Sequence, residues 1–132
     1  MRYILLVLCL SGCVSAPQPF DNNLYNYYVD ASVLNKYTME SCGSERDVIL
    51  NSKIISYYLD EASVYAKYRN EKPLSKATEL LNLNLTQLNK IYTKSAQKGL
   101  TVSKQEETYC QLKLEVVSIG LDHILNAIGD KP

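Results

Sequence analysis

From about Asn22 onward, apolar side chains recur every three or four residues. No run alternates with a period of two between hairpin turns, so the pattern predicts helices and no sheet. The first predicted helix runs from about Asn22 to Ser41. Leu24, Tyr27, Tyr28, Ala31, Leu34 and Thr38 form its stripe, which leads to Cys42, and Gly43 is the expected stop. Ser44 is the expected N-cap of the second, with Glu45 and Asp47 in a first turn where negative charge suits the helix dipole. Val48, Ser52, Ile55, Tyr58, Leu59, Ala62, Tyr65 and Ala66 trace its face; Arg69 lies near its end and Pro73 limits continuation.

A third helix is expected from Leu74 or Ser75, with Ala77, Leu81, Leu85, Leu88, Tyr92 and Ser95 as the buried stripe. Lys98-Gly99 ends it with a cation and a left-handed cap. Ser103-Lys104-Gln105-Glu106 has the form of a capping box and opens a fourth. Cys110, Leu114, Val117, Leu121, Ile124 and Ile128 follow one face of that helix, and Gly129 ends it. Leu112, Val116 and Ile119 form a second apolar stripe beside the first. A helix apolar on two faces is expected to be central, touching two or more neighbours. Four amphipathic helices with short connections predict an all-α domain over residues 22–130, a small antiparallel four-helix bundle.

The start of the chain follows a different pattern. Met1-Arg2 precedes an apolar run from Tyr3 to Leu10 and then Ser11-Gly12-Cys13. A positive start, a short apolar core and small residues describe a secretory signal. The run is far too short to cross a bilayer, which takes roughly 20 residues. Leu10-Ser11-Gly12-Cys13 resembles the lipobox of bacterial lipoproteins; the alternative is an ordinary secretory signal that happens to contain a cysteine. The resemblance implies cleavage of a signal peptide at residues 1–12 and lipidation of Cys13. It also implies a lipidated N-terminus and short tether over 13–21, in which Ala16-Pro17-Gln18-Pro19 has extended character. Each buried methylene contributes ~0.8 kcal/mol, so several acyl chains on one residue hold a protein to a membrane durably. Val14-Ser15 follows the cysteine, with no Asp at the second position. In enteric-type bacteria that pattern implies sorting to the periplasmic face of the outer membrane.

Composition narrows the function. The formal net charge is zero, and removal of Arg2 with the signal makes the mature chain slightly acidic. With no basic excess to neutralise phosphates, nucleic acid is not an expected partner. The 11 tyrosines are amphipathic contact residues suited to an interface, and equally the product of a low-GC genome. Once Cys9 is removed with the signal and Cys13 is lipidated, Cys42 and Cys110 remain, and in an oxidising compartment they read as a disulfide. The alternatives are two buried free thiols or a metal site, for which only His123 is at hand.

No catalytic constellation is expected. His123 is the single histidine, and Asp122 beside it points elsewhere on a helix. There is no zinc-protease motif, phosphate-binding glycine loop or apolar carboxylate pair. Neither an enzyme nor a cofactor or metal requirement is predicted.

A small helical lipoprotein domain with one disulfide resembles the helical pilotins of type II secretion systems, the PulS/OutS-like lipoproteins. Ala31-Ser32-Val33-Leu34-Asn35-Lys36-Tyr37, followed by Cys42, looks like that family's first helix and first cysteine. Leu88-Asn89-Lys90-Ile91-Tyr92, then a turn, Cys110 and an apolar helix look like its second half. Here the first cysteine lies further along, the loop before Cys110 is longer, and the Asp21–Tyr28 lead is additional. The resemblance implies a four-helix bundle closed by a first-to-last-helix disulfide. It also implies binding of the C-terminal segment of a secretin, which folds as a helix in a groove, and delivery of that secretin by the lipoprotein-sorting machinery. Leu112, Val116, Ile119, Tyr58 and Tyr65 are the candidate groove residues; the plainer role for each is core packing. Two other roles fit the same sequence: a surface, entry-exclusion or receptor-blocking lipoprotein, and a structural lipoprotein subunit of an envelope complex.

Overall fold

A computed structural model describes residues 21–129. The order is α1 (Asn22–Glu40), α2 (Glu45–Tyr68), α3 (Lys72–Gln97) and α4 (Lys104–Gly129). Each helix packs on its chain neighbours, and α4 closes the ring against α1; the diagonal pairs, α1 with α3 and α2 with α4, stay apart along their backbones. Cys42, in the turn after α1, is bonded to Cys110 of α4, with Cα atoms 5.9 Å apart. The described residues thus form an all-α four-helix bundle with one disulfide.

The helix ends show why the chain breaks where it does. Asp21 caps α1 by accepting the Leu24 N–H at 3.0 Å, and Ser44 caps α2 by accepting from Asp47 at 3.4 Å. At α4 the Ser103 hydroxyl accepts the Glu106 N–H while Glu106 accepts the Ser103 N–H, each at 3.1 Å. This is the reciprocal pattern that the sequence predicts. Gly99 closes α3 with φ of 67°. α3 begins at Lys72, earlier than Leu74 or Ser75, because Pro73 falls in the first turn, where its missing N–H costs nothing. Gly43 does not act as a left-handed stop. α1 ends instead at Ser41, whose N–H donates to the Thr38 carbonyl.

The core follows the apolar stripes, with polar substitutions at particular positions. All of Cys110, Leu114, Val117, Leu121, Ile124 and Ile128 are buried. On α3, Thr78 is buried where Ala77 was expected, and Ala77 is exposed. Thr78 donates its own hydroxyl proton to the Leu74 carbonyl at 2.8 Å. The Tyr28 hydroxyl must therefore be the donor in its 2.6 Å bond to Thr78. That bond crosses the bundle between the diagonal helices α1 and α3. Asn35, fully buried on α1, donates to the Leu114 carbonyl at 2.8 Å. Ser63 and Ser75 pair at 2.9 Å where α2 meets α3. Buried polar groups of this kind stabilise only while paired, and their partners fix the register of neighbouring helices.

Candidate functional site

Cys13 lies outside the described residues. The five candidate groove residues lie within them, but on two different sides of the bundle. Tyr58 faces α1, where it lines a surface hollow of about 430 Å³ with Asp30, Val33, Leu34 and Tyr37. Tyr65, further along α2, is engaged within the domain: its hydroxyl donates to Asp21 Oδ2 at 2.7 Å. The same Asp21 oxygen takes Arg69 Nη1 at 3.2 Å. Burial alone would raise the Asp21 pKa, but the Leu24 N–H, the Tyr65 hydroxyl, the Asn23 N–H and the Arg69 charge together hold it below the usual carboxylate value. The Tyr65 phenol is pushed up, first by its bond to Asp21 and then by burial. This cluster fixes the start of α1 to the end of α2. The residue assigned from sequence to the end of the tether is therefore a cap of the folded domain.

Leu112, Val116 and Ile119 sit on the opposite part of the ring. α4 meets α1 through the Asn35–Leu114 bond and the 3.9 Å Lys36–Asp122 pair. It meets α3 through Lys113, which donates to Gln87 at 2.9 Å and Asn84 at 3.3 Å. It also meets α3 at Gly120, whose Cβ, if present, would lie 3.2 Å from Leu81 Cγ. The second stripe falls between these two seams and points outward, with exposures of 59%, 51% and 53%. α4 thus touches two neighbours, α1 and α3, as expected, but its second stripe meets neither and is uncovered. α2 and α4 are diagonal, so Tyr58 and Tyr65 share no groove with this stripe.

Two α3 residues absent from the candidate set are exposed on the neighbouring helix at the same level. Leu80 and Leu83 are 58% and 52% exposed. The Lys113 and Gly120 contacts set the antiparallel register of the two helices and bring Leu80 and Leu83 level with Val116 and Ile119. Towards the other end of the same seam, Ile91, Lys94, Lys98 and Leu100 line a hollow of about 320 Å³. Lys104, Gln105, Tyr109 and Leu112 line another of about 340 Å³. The signal for these residues was present in the sequence as apolar positions flanking the Leu81 stripe, but a single stripe per helix absorbs only one set of them.

The seam between α2 and α3 is of another kind. Ser56 donates to Asn82 at 2.6 Å, Asn82 donates to Asp60 at 2.6 Å, and Asn89 donates to Ser52 at 2.8 Å. These groups satisfy one another and hold the helices together. His123 is exposed on α4, and no group of three or more His, Cys, Asp or Glu among the described residues could hold a metal ion. No described helix is long and apolar enough to cross a membrane.

Comparison with protein-family models, with curated proteins and with solved structures yields no match.

Proposed function

We propose that this chain is an outer-membrane lipoprotein, held on the periplasmic face through Cys13, that acts as a pilotin. In this reading it binds the C-terminal segment of a secretin and carries the secretin subunit along the lipoprotein-sorting route. The observation that carries the proposal is the combination of a bundle closed by Cys42–Cys110 with an uncovered apolar stripe, Leu112, Val116 and Ile119, behind a lipobox-like N-terminus. A disulfide suits an oxidising compartment. An exposed stripe at helical spacing suits a partner helix, since isolated apolar residues are ordinary on surfaces but a contiguous patch marks an interaction site. The domain's role is then mechanical: one end engages lipid and one face engages cargo.

The test is affinity purification of the full-length protein from detergent-solubilised envelopes of cells fed labelled palmitate, beside a Cys13→Ala control. Label on the wild-type chain alone, with a secretin co-purifying, supports the proposal. Co-purification of a different outer-membrane protein without a secretin replaces it with the exclusion or receptor-blocking role.

A further inference from the structure

Charge is distributed unevenly over this bundle. The whole chain is formally neutral, yet α3 carries Lys72, Lys76, Lys90 and Lys94 against the single acid Glu79, with Lys98 at its cap. Helical spacing places Lys76, Lys90 and Lys94 on the outer side of α3, the side that also bears Leu80 and Leu83. Lys113 lies in the seam itself, 5.5 Å from the centre of the Tyr109 ring. The carboxylates nearest this face are differently placed. Glu79 turns towards Ser63 of α2, and Glu106 is committed to the Ser103 cap. Asp122 pairs with Lys36 of α1, and Glu115 borders the far edge of the α4 stripe. The α3–α4 face is therefore an apolar strip with lysines along its α3 edge and Glu115 at its α4 edge, on a protein with no overall positive charge.

We infer that the α3–α4 face docks an amphipathic helix of a partner protein that is acidic along the flank facing α3. The partner's apolar side chains would lie on Leu80, Leu83, Leu112, Val116 and Ile119, and its carboxylates would pair with Lys76, Lys90 and Lys94. The inference rests on the reading of this domain as one that binds a partner segment, and adds the face and the charge of that segment. The apolar strip supplies affinity, while the lysines select for acidic flanks and against basic ones. Rim charges of this kind act strongly at low ionic strength and fade as salt screens them.

The probe is a pair of synthetic helical peptides of about five turns that share one leucine stripe. One carries Glu and the other Lys on the flank that would meet α3, and both are uncharged on the opposite flank. Each is titrated by fluorescence anisotropy against the full chain bearing Cys13→Ala. The Glu peptide should bind at least about tenfold more tightly than the Lys peptide in low salt, and the gap should narrow in high salt. A Lys90→Glu/Lys94→Glu variant should reverse the preference. Val116→Asp should remove binding of both peptides while leaving the circular dichroism and melting unchanged, since that side chain is exposed. Equal binding of the two peptides, or none at about 100 μM, overturns the inference. So does binding of phosphatidylglycerol vesicles that needs the same lysines and Val116 while neither peptide binds, because the face would then belong to lipid. If the peptides are discriminated as expected but no secretin co-purifies, the face stands and the pilotin proposal falls. If a secretin co-purifies equally well with the Val116→Asp and Lys90→Glu/Lys94→Glu variants, the pilotin proposal stands and this face is not its site.

Discussion

The hydroxyl of Tyr92 lies 2.7 Å from the carbonyl oxygen of Cys42, so α3 is bonded to the same residue that joins the α1 turn to α4. A second carbonyl, that of Glu106, lies 3.2 Å from the same hydroxyl. Three of the four helices thus converge at one end of the bundle on a disulfide and a phenol. At the other end, Asp21, Tyr65 and Arg69 tie α1 to α2. Near that second end the Tyr28–Thr78 bond crosses the core, and the rest is held by packing.

Tyr92→Phe keeps the ring and removes the donor, leaving a buried carbonyl short of a partner. Such a loss costs about 1–3 kcal/mol. Urea unfolding should show a lower midpoint with an unchanged slope, and an unaltered midpoint would show that the bond contributes nothing.

Reducing Cys42–Cys110 releases a long loop, since the two residues are 68 apart in sequence. In the chain-entropy model the cross-link contributes about 4 kcal/mol. Urea midpoints with and without reductant, and for the Cys42→Ser/Cys110→Ser pair, should fall together by a corresponding amount. The secondary structure should survive in dilute buffer.

Stability should fall at both extremes of pH, for different reasons. Burial pushes the phenols of Tyr28 and Tyr92 up to about 12 from an ordinary value of 10. Their folded pKa is raised, so the stabilisation is complete below pH 10 and is lost as pH climbs towards 12. Tyr92→Phe should therefore flatten the alkaline limb of a stability–pH curve. Asp21 is held below its ordinary 3.8, so its contribution is present above that value and is lost as pH falls through the lower, folded-state pKa. Asp21→Asn should flatten the acid limb. At neutral pH it should cost no more than about 1 kcal/mol, because the group is partly exposed.

Gly120 permits the close approach of α4 to α3. Gly120→Val drives methyl groups into Leu81 and should destabilise by about 1–3 kcal/mol, despite the better helix propensity of valine. Combining it with Leu81→Ala should cost less than the sum of the two single changes. Strict additivity in melting experiments would show that the two residues do not meet.

Much of this architecture was legible in the sequence. The α4 stripe, the Ser103–Glu106 capping box, the Gly99 cap and the cysteine pair each carry a signal that one physical rule decodes. Other features required a tertiary partner. Thr78 is buried rather than Ala77 because Tyr28, a diagonal neighbour far away in sequence, needs an acceptor there. Asn35 is buried because it reaches the Leu114 carbonyl; hydropathy alone would place it outside. Pro73 marks the break after α2 as the sequence predicts, but it lies inside the first turn of α3 rather than before it. For the site, the second α4 stripe was visible as a pattern, but not its exposure, which depends on where α1 and α3 pack. The grouping of Leu112, Val116 and Ile119 with Tyr58 and Tyr65 presumed a shared groove, and the ring order places α2 and α4 on a diagonal. Leu80 and Leu83 join the α4 stripe only through a register fixed by Lys113 and Gly120.

The measurement that bears most directly on the proposed role is the membrane location of secretin multimers. Envelopes would be separated on a density gradient from cells making the wild-type chain, the Cys13→Ala chain or neither. Multimers should lie in the outer-membrane fraction with the wild type, and in the inner-membrane fraction in the other two. Outer-membrane multimers in all three strains would contradict that role.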